Sequence, residues 1–243
     1  MMIKNIMKFA KKHKIISYNP MDDVDGVRVS GKAEIHPLSL DEIKSFLGAV
    51  PIFYRPLFVF LFFTGARFGE AAALKWKRVD FATGVVKIRR TLVMGEIKEP
   101  KTKSSIRDIK LSSIVVETLR EQRKHTMGKS EFVFLNQLGR NIHPHSINAH
   151  VFKPTLRKIG LSAKRSCKDT RASFITNSLD AKERMGFVQK QVGHTTTKMI
   201  VNHYYNYIPS KDDGQKLEEA WDSTRNLPES EEANSEVIEK IEK

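Results

Sequence analysis

A chain of 243 residues, 40% of them hydrophobic, is long enough for one large domain or two small ones with a real core. No run is long and apolar enough to span a bilayer (the strongest, Phe53 to Phe63, is short and contains Arg55), the basic start from Met1 to Lys14 has neither the apolar centre nor the cleavage site of a signal peptide, and the single cysteine, Cys167, rules out an intrachain disulfide and fits a reducing compartment. The net charge of +14 hides a division: from Ser210 onward 11 acidic residues stand against 5 basic ones, which leaves 37 basic and 17 acidic residues before it, a net of +20.

A body that basic is either merely a soluble basic protein or one that meets a polyanion, and the second reading is favoured. Nucleic acid is favoured over a membrane surface because no basic amphipathic anchor helix stands out.

Met1 to Ile16 reads as one basic helix with Ile3, Ile6, Met7 and Phe9 as an apolar stripe, stopped by Asn19-Pro20. Met21 to His36 contains Gly26 and Gly31, has no periodicity and reads as a linker. Ser39-Leu40-Asp41-Glu42 is a capping-box pattern that opens a helix to about Leu47. Pro51 to Phe63 is apolar nearly all round, the mark of a central helix, and Thr64-Gly65 breaks it. Arg67 then opens a helix from Phe68 to Trp76.

From Val79 to Leu111 the period changes. Val85 to Val93 reads as a strand and Met94-Gly95-Glu96 as a turn. Ile97 to Glu99 and Ile106 to Leu111 read as returning strands around a basic tip, Pro100 to Ser105. Ser112 to Lys124 is predicted helical, Phe132 to Leu135 a short buried strand, and Ser146 to Ile159 a helix ended by Gly160. Helices follow over Asp169 to Asp180 and Glu183 to Val192, with Gly193 at the C′ position. A threonine-capped helix carries Tyr204, and a short amphipathic one spans Asp212 to Trp221. From Leu227 the chain is acidic, and disorder is expected. The whole predicts a mainly helical fold with a small antiparallel sheet.

Residues suited to a phosphate gather between Lys168 and Tyr204. Lys168 and Arg171 stand one helical turn apart and so share a side. Two cations there without evident acidic partners point to an anion, a phosphate first of all. Gly193-His194 follows, and then Tyr204, Tyr205 and Tyr207, which are candidate nucleophiles or aromatics packed on the core. Arg67, at a helix start beside free backbone N–H groups, also suits a phosphate; a surface arginine paired with Glu70 is an equal reading. Taken alone, the lysine-rich tip is a solvated hairpin end. His143, His145 and His150 have no carboxylate or cysteine spaced to complete a metal site, so neither a metal nor another cofactor is expected.

The set resembles the catalytic domain of the tyrosine recombinases, the phage-integrase and Xer/Cre family. Thr64-Gly65-Ala66-Arg67-Phe68-Gly69-Glu70-Ala71-Ala72-Ala73-Leu74-Lys75-Trp76 is similar to the family's first arginine box. Pro100-Lys101-Thr102-Lys103-Ser104-Ser105-Ile106-Arg107 is similar to its β-hairpin lysine motif, with Lys101, before the threonine, as the active lysine. Lys168-Asp169-Thr170-Arg171 stands where the family has His-x-x-Arg, and Gly193-His194 matches its Leu-Gly-His motif. Tyr204 lies ten residues beyond His194 and five before Pro209, the spacing of the family's nucleophile, with Tyr205 next in line. Each box alone is weak; five in order on a basic chain are a strong signal.

The chemistry accounts for these residue types. The sequence shows no Asp/Glu cluster for a two-metal nuclease and no glycine-rich phosphate loop, so cleavage of DNA needs another source of positive charge. Two arginines, Arg67 and Arg171, can fork onto the non-bridging oxygens of one phosphate and stabilise charge that builds in the transition state. The resemblance implies that His194 adds a hydrogen bond and that Tyr204 attacks phosphorus to give a 3′-phosphotyrosine, which keeps the energy of the broken bond and makes religation independent of ATP. It implies that Lys101 protonates the leaving 5′ oxygen from a mobile tip; an ammonium, with an ordinary pKa of about 10.4, can act as that acid at neutral pH.

Two positions depart from the family pattern. Lys168 replaces the usual histidine, as in some archaeal viral integrases; a lysine can hydrogen-bond a phosphate but is a poor general base unless its pKa falls strongly. Ala172 stands where a second histidine is common. The resemblance further implies that residues 1–36 are the last helix of a core-binding domain with its linker, that 37–222 form the catalytic domain, and that 223–243 are an acidic tail. The expected partner is double-stranded DNA, bound by a tetramer on paired sites that is a monomer in solution, with accessory DNA-bending proteins, in the cytoplasm near the nucleoid and with no membrane. A type IB topoisomerase fits the box spacing less well. The reading from another class is a non-catalytic DNA-binding remnant, and a metal nuclease is a third, which EDTA would inactivate.

Overall fold

The computed structural model describes residues 2–24, 35–100 and 102–204. The chain divides into two compact units, Met1–Glu34 and Ile35–Lys243. In the first, Lys14 takes a left-handed conformation (φ 55°). The helix α1 (Met2–Lys12) therefore ends short of the expected Ile16. Ile3, Ile6 and Phe9 of its stripe are each more than half exposed.

The second unit opens with α2 (Leu40–Ala49), and the capping box is real: the Glu42 N–H donates to Ser39 Oγ at 3.2 Å and the Ser39 N–H to Glu42 Oε2 at 3.0 Å. The apolar run forms α3 (Arg55–Thr64), starting later than expected because Pro51 to Tyr54 make a turn. Pro56 sits in the first turn, where a missing N–H costs nothing. The next helix, α4 (Phe68–Ala72), stops short of the expected Trp76. The reason is tertiary. Leu74 O accepts from the Val133 N–H and the Trp76 N–H donates to Glu131 O, both at 2.9 Å, so this stretch runs extended beside Phe132. The expected strand at Phe132 to Leu135 is thus reduced to two isolated bridges, Lys75 with Phe132 and Leu135 with Asn141.

Five short strands follow: β1 (Val79–Asp80), β2 (Val85–Ile88), β3 (Thr91–Val93), β4 (Glu96–Lys98) and β5 (Arg107–Lys110). They form an antiparallel sheet in the order β1-β2-β5 and a separate β3-β4 hairpin. The predicted strand from Val85 to Val93 therefore breaks at Arg89-Arg90. Its alternation puts Val86 and Ile88 inward, and a continuous strand would carry Arg90 inward next, at a large desolvation cost. The chain leaves the sheet instead. Arg89 Nη1 caps the carbonyls of Ile88 (3.0 Å) and Arg107 (2.9 Å), and its Nη2 meets Asp108 at 2.7 Å. Ile88 pairs with Arg107 and Val85 with Lys110.

The remaining elements are helical: α5 (Ser113–Thr126), α6 (Pro144–Ile147), α7 (Lys153–Lys158), α8 (Asp169–Asp180), α9 (Met185–Val192) and α10 (Thr197–Tyr204). The expected single helix from Ser146 to Ile159 contains a π-helical turn at Asn148–Phe152. Pro154 has no N–H and its ring crowds the carbonyl four residues back; the wider turn accommodates it. The predicted helix from Asp212 to Trp221 and the acidic tail lie outside the described residues.

The buried helix α3 packs against α2, α4, α5 and α8. Phe46, Phe58 and Phe152 pack their rings 5.0 to 5.7 Å apart at the centre of the main core. Each buried phenylalanine of this kind stabilises the fold by roughly 1.5–3 kcal/mol. A smaller cluster, Phe174, Ile175, Val188, Val192 and Ile200, joins α8, α9 and α10. Among the described residues no helix is long and apolar enough to cross a membrane. Cys167 is buried, which pushes its thiol well above the ordinary range, with the Asp169 carboxylate adding to the effect.

Candidate active site

The first arginine box forms a turn between α3 and α4. Gly65 holds a left-handed conformation (φ 64°), and a Cβ there would collide with Phe174 of α8 and Val192 of α9. Only glycine lets the ends of three helices meet at this point. Arg171, on the first turn of α8 and 9% exposed, donates from Nη1 to Gly65 O at 2.8 Å. Arg171 is thereby fixed two residues from Arg67.

Arg67 is the N-cap of α4, and its side chain is 45% exposed. Its backbone N–H donates to Glu70 Oε2 at 2.8 Å and its Nη1 to Glu70 Oε1 at 2.9 Å. The pairing with Glu70 therefore exists, but Glu70 is no surface acid: it is 2% exposed and also takes both terminal nitrogens of Arg107 at 2.9 Å. Burial alone would raise the Glu70 carboxyl; the hydrogen bonds and charges of Arg107 and Arg67 outweigh that and hold it below the ordinary carboxylate range. One carboxylate shared by two guanidiniums leaves a net positive charge, on the exposed partner, Arg67. Glu70 thus orients Arg67 without neutralising it.

Arg107 carries the link onward. Its Nε donates to Gln191 O at 2.7 Å. The Gln191 amide in turn brackets the Lys110 backbone, donating to Lys110 O at 2.7 Å and accepting from the Lys110 N–H at 3.2 Å. Strand β5 is thus clamped to the end of α9, where Gly193 (φ 72°) turns the chain into His194. His194 is half-buried, and its backbone is held to Gln189 from both sides, at 3.2 Å each. A Cβ on Gly193 would stand 2.7 Å from Ser104 O and 2.9 Å from Arg107 Cδ. Gly193→Ala is therefore expected to lower stability by at least about 2 kcal/mol, from the left-handed backbone and the contact with an immovable carbonyl. A thermal melt would register this as a drop of roughly 4–8 °C; an unchanged midpoint would contradict it.

Lys168 occupies the position before α8 without a side-chain capping bond and is exposed, whereas Arg171, one turn on, is buried. The neighbouring Asp169 does not oppose Lys168. Its carboxylate accepts from the backbone N–H groups of His36 (3.2 Å) and Ser166 (2.7 Å) and anchors the start of the helix. The Leu38 N–H donates to Ser173 Oγ at 2.8 Å, so the stretch before α2 lies along α8. Asn148, in the π-helical turn, accepts from the Cys167 N–H at 2.9 Å. Lys101 lies outside the described residues; the turn after it is closed by Thr102 Oγ1 with Ser105 Oγ at 2.9 Å. Tyr204 is the last residue of α10, which packs against α8 and α9; the described part of it is its backbone. Tyr205 and Tyr207 lie outside the described residues.

The structure therefore brings Arg67, Arg171, the base of the lysine hairpin and Gly193-His194 together. An open cleft of about 690 Å³ runs between Ser104–Asp108 and the stretch from Gly186 to His194. Among the described residues no group of three or more His, Cys, Asp or Glu side chains could hold a metal ion. Glu70 and Arg107 as a buried bridge, and Gln191 as a clamp, were not anticipated from the sequence.

A family model described as the phage integrase family matches residues 37–210. The prophage integrase IntR of Escherichia coli K12 is 27% identical over 235 residues, covering 87% of this chain and 57% of that protein. A XerC-like tyrosine recombinase of Caldanaerobacter subterraneus is 25% identical over 207 residues, covering 74% of this chain and 52% of the relative. The chain thus spans a little over half the length of these curated relatives. Among solved structures, the Tn1549 transposon integrase in complex with a circular intermediate DNA superposes with a TM-score of 0.70 at 23% identity, covering 89% of this chain and 75% of that one. A lambda integrase dimer bound to a COC′ core site superposes with a TM-score of 0.62 at 15% identity, covering 86% and 59%. The fold is that of these recombinases, and with the family model spanning most of its length the chain belongs to the phage integrase family.

Proposed function

We propose that the chain is the catalytic part of a site-specific DNA recombinase from a phage or another mobile element, which cuts and rejoins double-stranded DNA through a 3′-phosphotyrosine without metal or ATP. The observation that carries this reading is the single turn at Gly65 on which the two arginines meet, Arg171 by a 2.8 Å hydrogen bond and Arg67 by sequence. Arg67 and Arg171 clamp the non-bridging oxygens of the scissile phosphate, and His194 adds a hydrogen bond. Lys168, exposed and free of Asp169, contacts the same phosphate. Tyr204 is the nucleophile and Lys101 the acid for the leaving 5′ oxygen. Lys101 supplies the proton of the leaving oxygen, and the arginines and Lys168 supply the positive charge that a metal would otherwise bring.

In this reading residues 1–36 close a core-binding domain, 37–222 are catalytic and 223–243 form an acidic tail. The chain acts as a tetramer on paired sites, assembled from monomers with accessory DNA-bending proteins, in the cytoplasm near the nucleoid. The test is incubation with a duplex nicked near the ends of the element that encodes the chain, in EDTA, followed by a denaturing gel. A band of protein attached to DNA is expected, undiminished by EDTA. Cut DNA that carries no protein and appears only when EDTA is left out would indicate a metal nuclease, and specific binding without any band or cutting would indicate a DNA-binding remnant.

A further inference from the structure

A basic groove beside α4 is used by none of the residues that face the scissile phosphate. It is a hollow of about 160 Å³ between the stretch Leu74 to Arg78 and the edge of β2, ringed by Lys75, Lys77, Arg78, Lys87, Arg89 and Arg90. Three of these cations are already paired: Lys75 with Glu131 (2.7 Å), Arg89 with Asp108 (2.7 Å) and Arg90 with Glu99 (3.3 Å). Lys77, Arg78 and Lys87 are exposed, and among the described residues none of them is in a salt bridge. The Asp80 carboxyl is held below the usual range chiefly by hydrogen bonds from Thr83; Lys87 adds only a small part and makes no ion pair with it. Glu70, also at the groove, is committed to Arg67 and Arg107. Strand β1 covers β2 only at Val85 and Val86, so this edge is open at Lys87 and Ile88. The result is a concave site with three cations that form no ion pair among the described residues.

The same chain holds an anion of matching kind. Asn226 to Glu239 carries Glu229, Glu231, Glu232, Glu236 and Glu239 and no basic residue. Residues 205–225 tether it to the end of α10. Fully extended, 21 residues reach at most about 70 Å, and with Asp212 to Trp221 helical, as the sequence predicts, still about 50 Å, well beyond the roughly 17 Å radius of gyration of a domain of about 200 residues. The groove is within reach, and tethering at an effective concentration on the order of millimolar lets a weak contact be occupied. We propose that Asn226–Glu239 docks in this groove as an internal polyanion and is displaced by DNA. The docking stands on charge and reach; the displacement rests on the DNA-binding function proposed above.

The test is zero-length carbodiimide cross-linking of the full chain in about 50 mM salt, with the joined peptides mapped by mass spectrometry. Bonds from the five tail glutamates to Lys77 or Lys87 are expected, lost in about 1 M salt, where the screening length falls to about 3 Å. Tail cross-links that are absent, or spread over other lysines without preference, overturn the docking whatever DNA does. Adding a non-specific duplex is expected to remove the cross-links, and the full chain with all five glutamates changed to glutamine is expected to bind that duplex about three- to tenfold more tightly at low salt. Cross-links that persist under saturating duplex overturn the displacement alone. A chain that binds no duplex contradicts the DNA-binding function, while the cross-links still decide the docking.

Discussion

Arg171→Lys is expected to slow covalent attachment to a nicked duplex by about 10²- to 10³-fold, the usual cost of removing one preorganised donor from a developing oxyanion. A lysine keeps the charge but cannot both hold Gly65 O and reach the phosphate with a second nitrogen, as a guanidinium fork can. The bond from Arg171 Nη1 to Gly65 O fixes one arm of that fork two residues along the chain from Arg67. The measurement is a single-turnover rate at saturating protein. Duplex affinity, set by many phosphate contacts, should change far less than the rate. A cleavage rate within about threefold of the parent, against the expected hundredfold, would show that Arg171 holds the turn and nothing else.

Glu70→Ala is expected to have the largest effect on stability. It leaves Arg107, whose side chain is 5% exposed, without its carboxylate. An uncompensated buried charge of this kind typically costs about 3–5 kcal/mol. Replacing the pair together, Glu70→Leu with Arg107→Met, should recover much of that loss, because the desolvation of both charges disappears with them. Urea denaturation of the three proteins at pH 7 measures this, and a loss below about 1 kcal/mol for Glu70→Ala would contradict the buried bridge.

The same residue sets a pH dependence. The Glu70 carboxyl is held below its ordinary value of 4.5 in the folded chain. A depressed acid contributes stability that is complete above its unfolded value and is lost as pH falls through its folded one. The parent should therefore lose this component below about pH 4.5, and Glu70→Gln, which cannot titrate there, should lack it.

Much of this was legible in the sequence, for reasons that differ by element. Ser39 and Glu42 announce the start of α2 because a capping box is local: the donors and acceptors are three residues apart. The run from Leu57 to Phe62 announces the central helix because nothing apolar on every side can lie at a surface. What the sequence did not disclose was set by contacts distant along the chain. The helix after Arg67 stops at Ala72 because Leu74 and Trp76 bond to Val133 and Glu131, and no local pattern records that pairing. The turn at Asn148–Phe152 follows from Pro154, which was visible, but its consequence is a wider turn rather than an end.

The missed bridge had left a trace. Arg107 shares its parity with Ile109, and strand β5 puts both inward and Asp108 and Lys110 outward. An arginine on the core face of a strand demands a buried carboxylate, and Glu70, in a helix otherwise made of small and apolar residues, was the candidate. Gln191 left no such trace; a glutamine at the end of a helix is ordinary until a strand backbone lies beside it. The arginines, the histidine and the tyrosine were singled out because the proposed phosphoryl transfer without metal would demand those residue types.

The most direct test of the whole account is to isolate the covalent complex from the EDTA reaction, digest it and locate the nucleotide on the chain by tandem mass spectrometry. A nucleotide remnant joined through its 3′ phosphate to Tyr204 is expected, and no adduct from Tyr204→Phe. An adduct on Tyr205 or Tyr207 would move the nucleophile and leave the arginine clamp in place; an adduct on any residue other than a tyrosine would contradict the proposed chemistry itself.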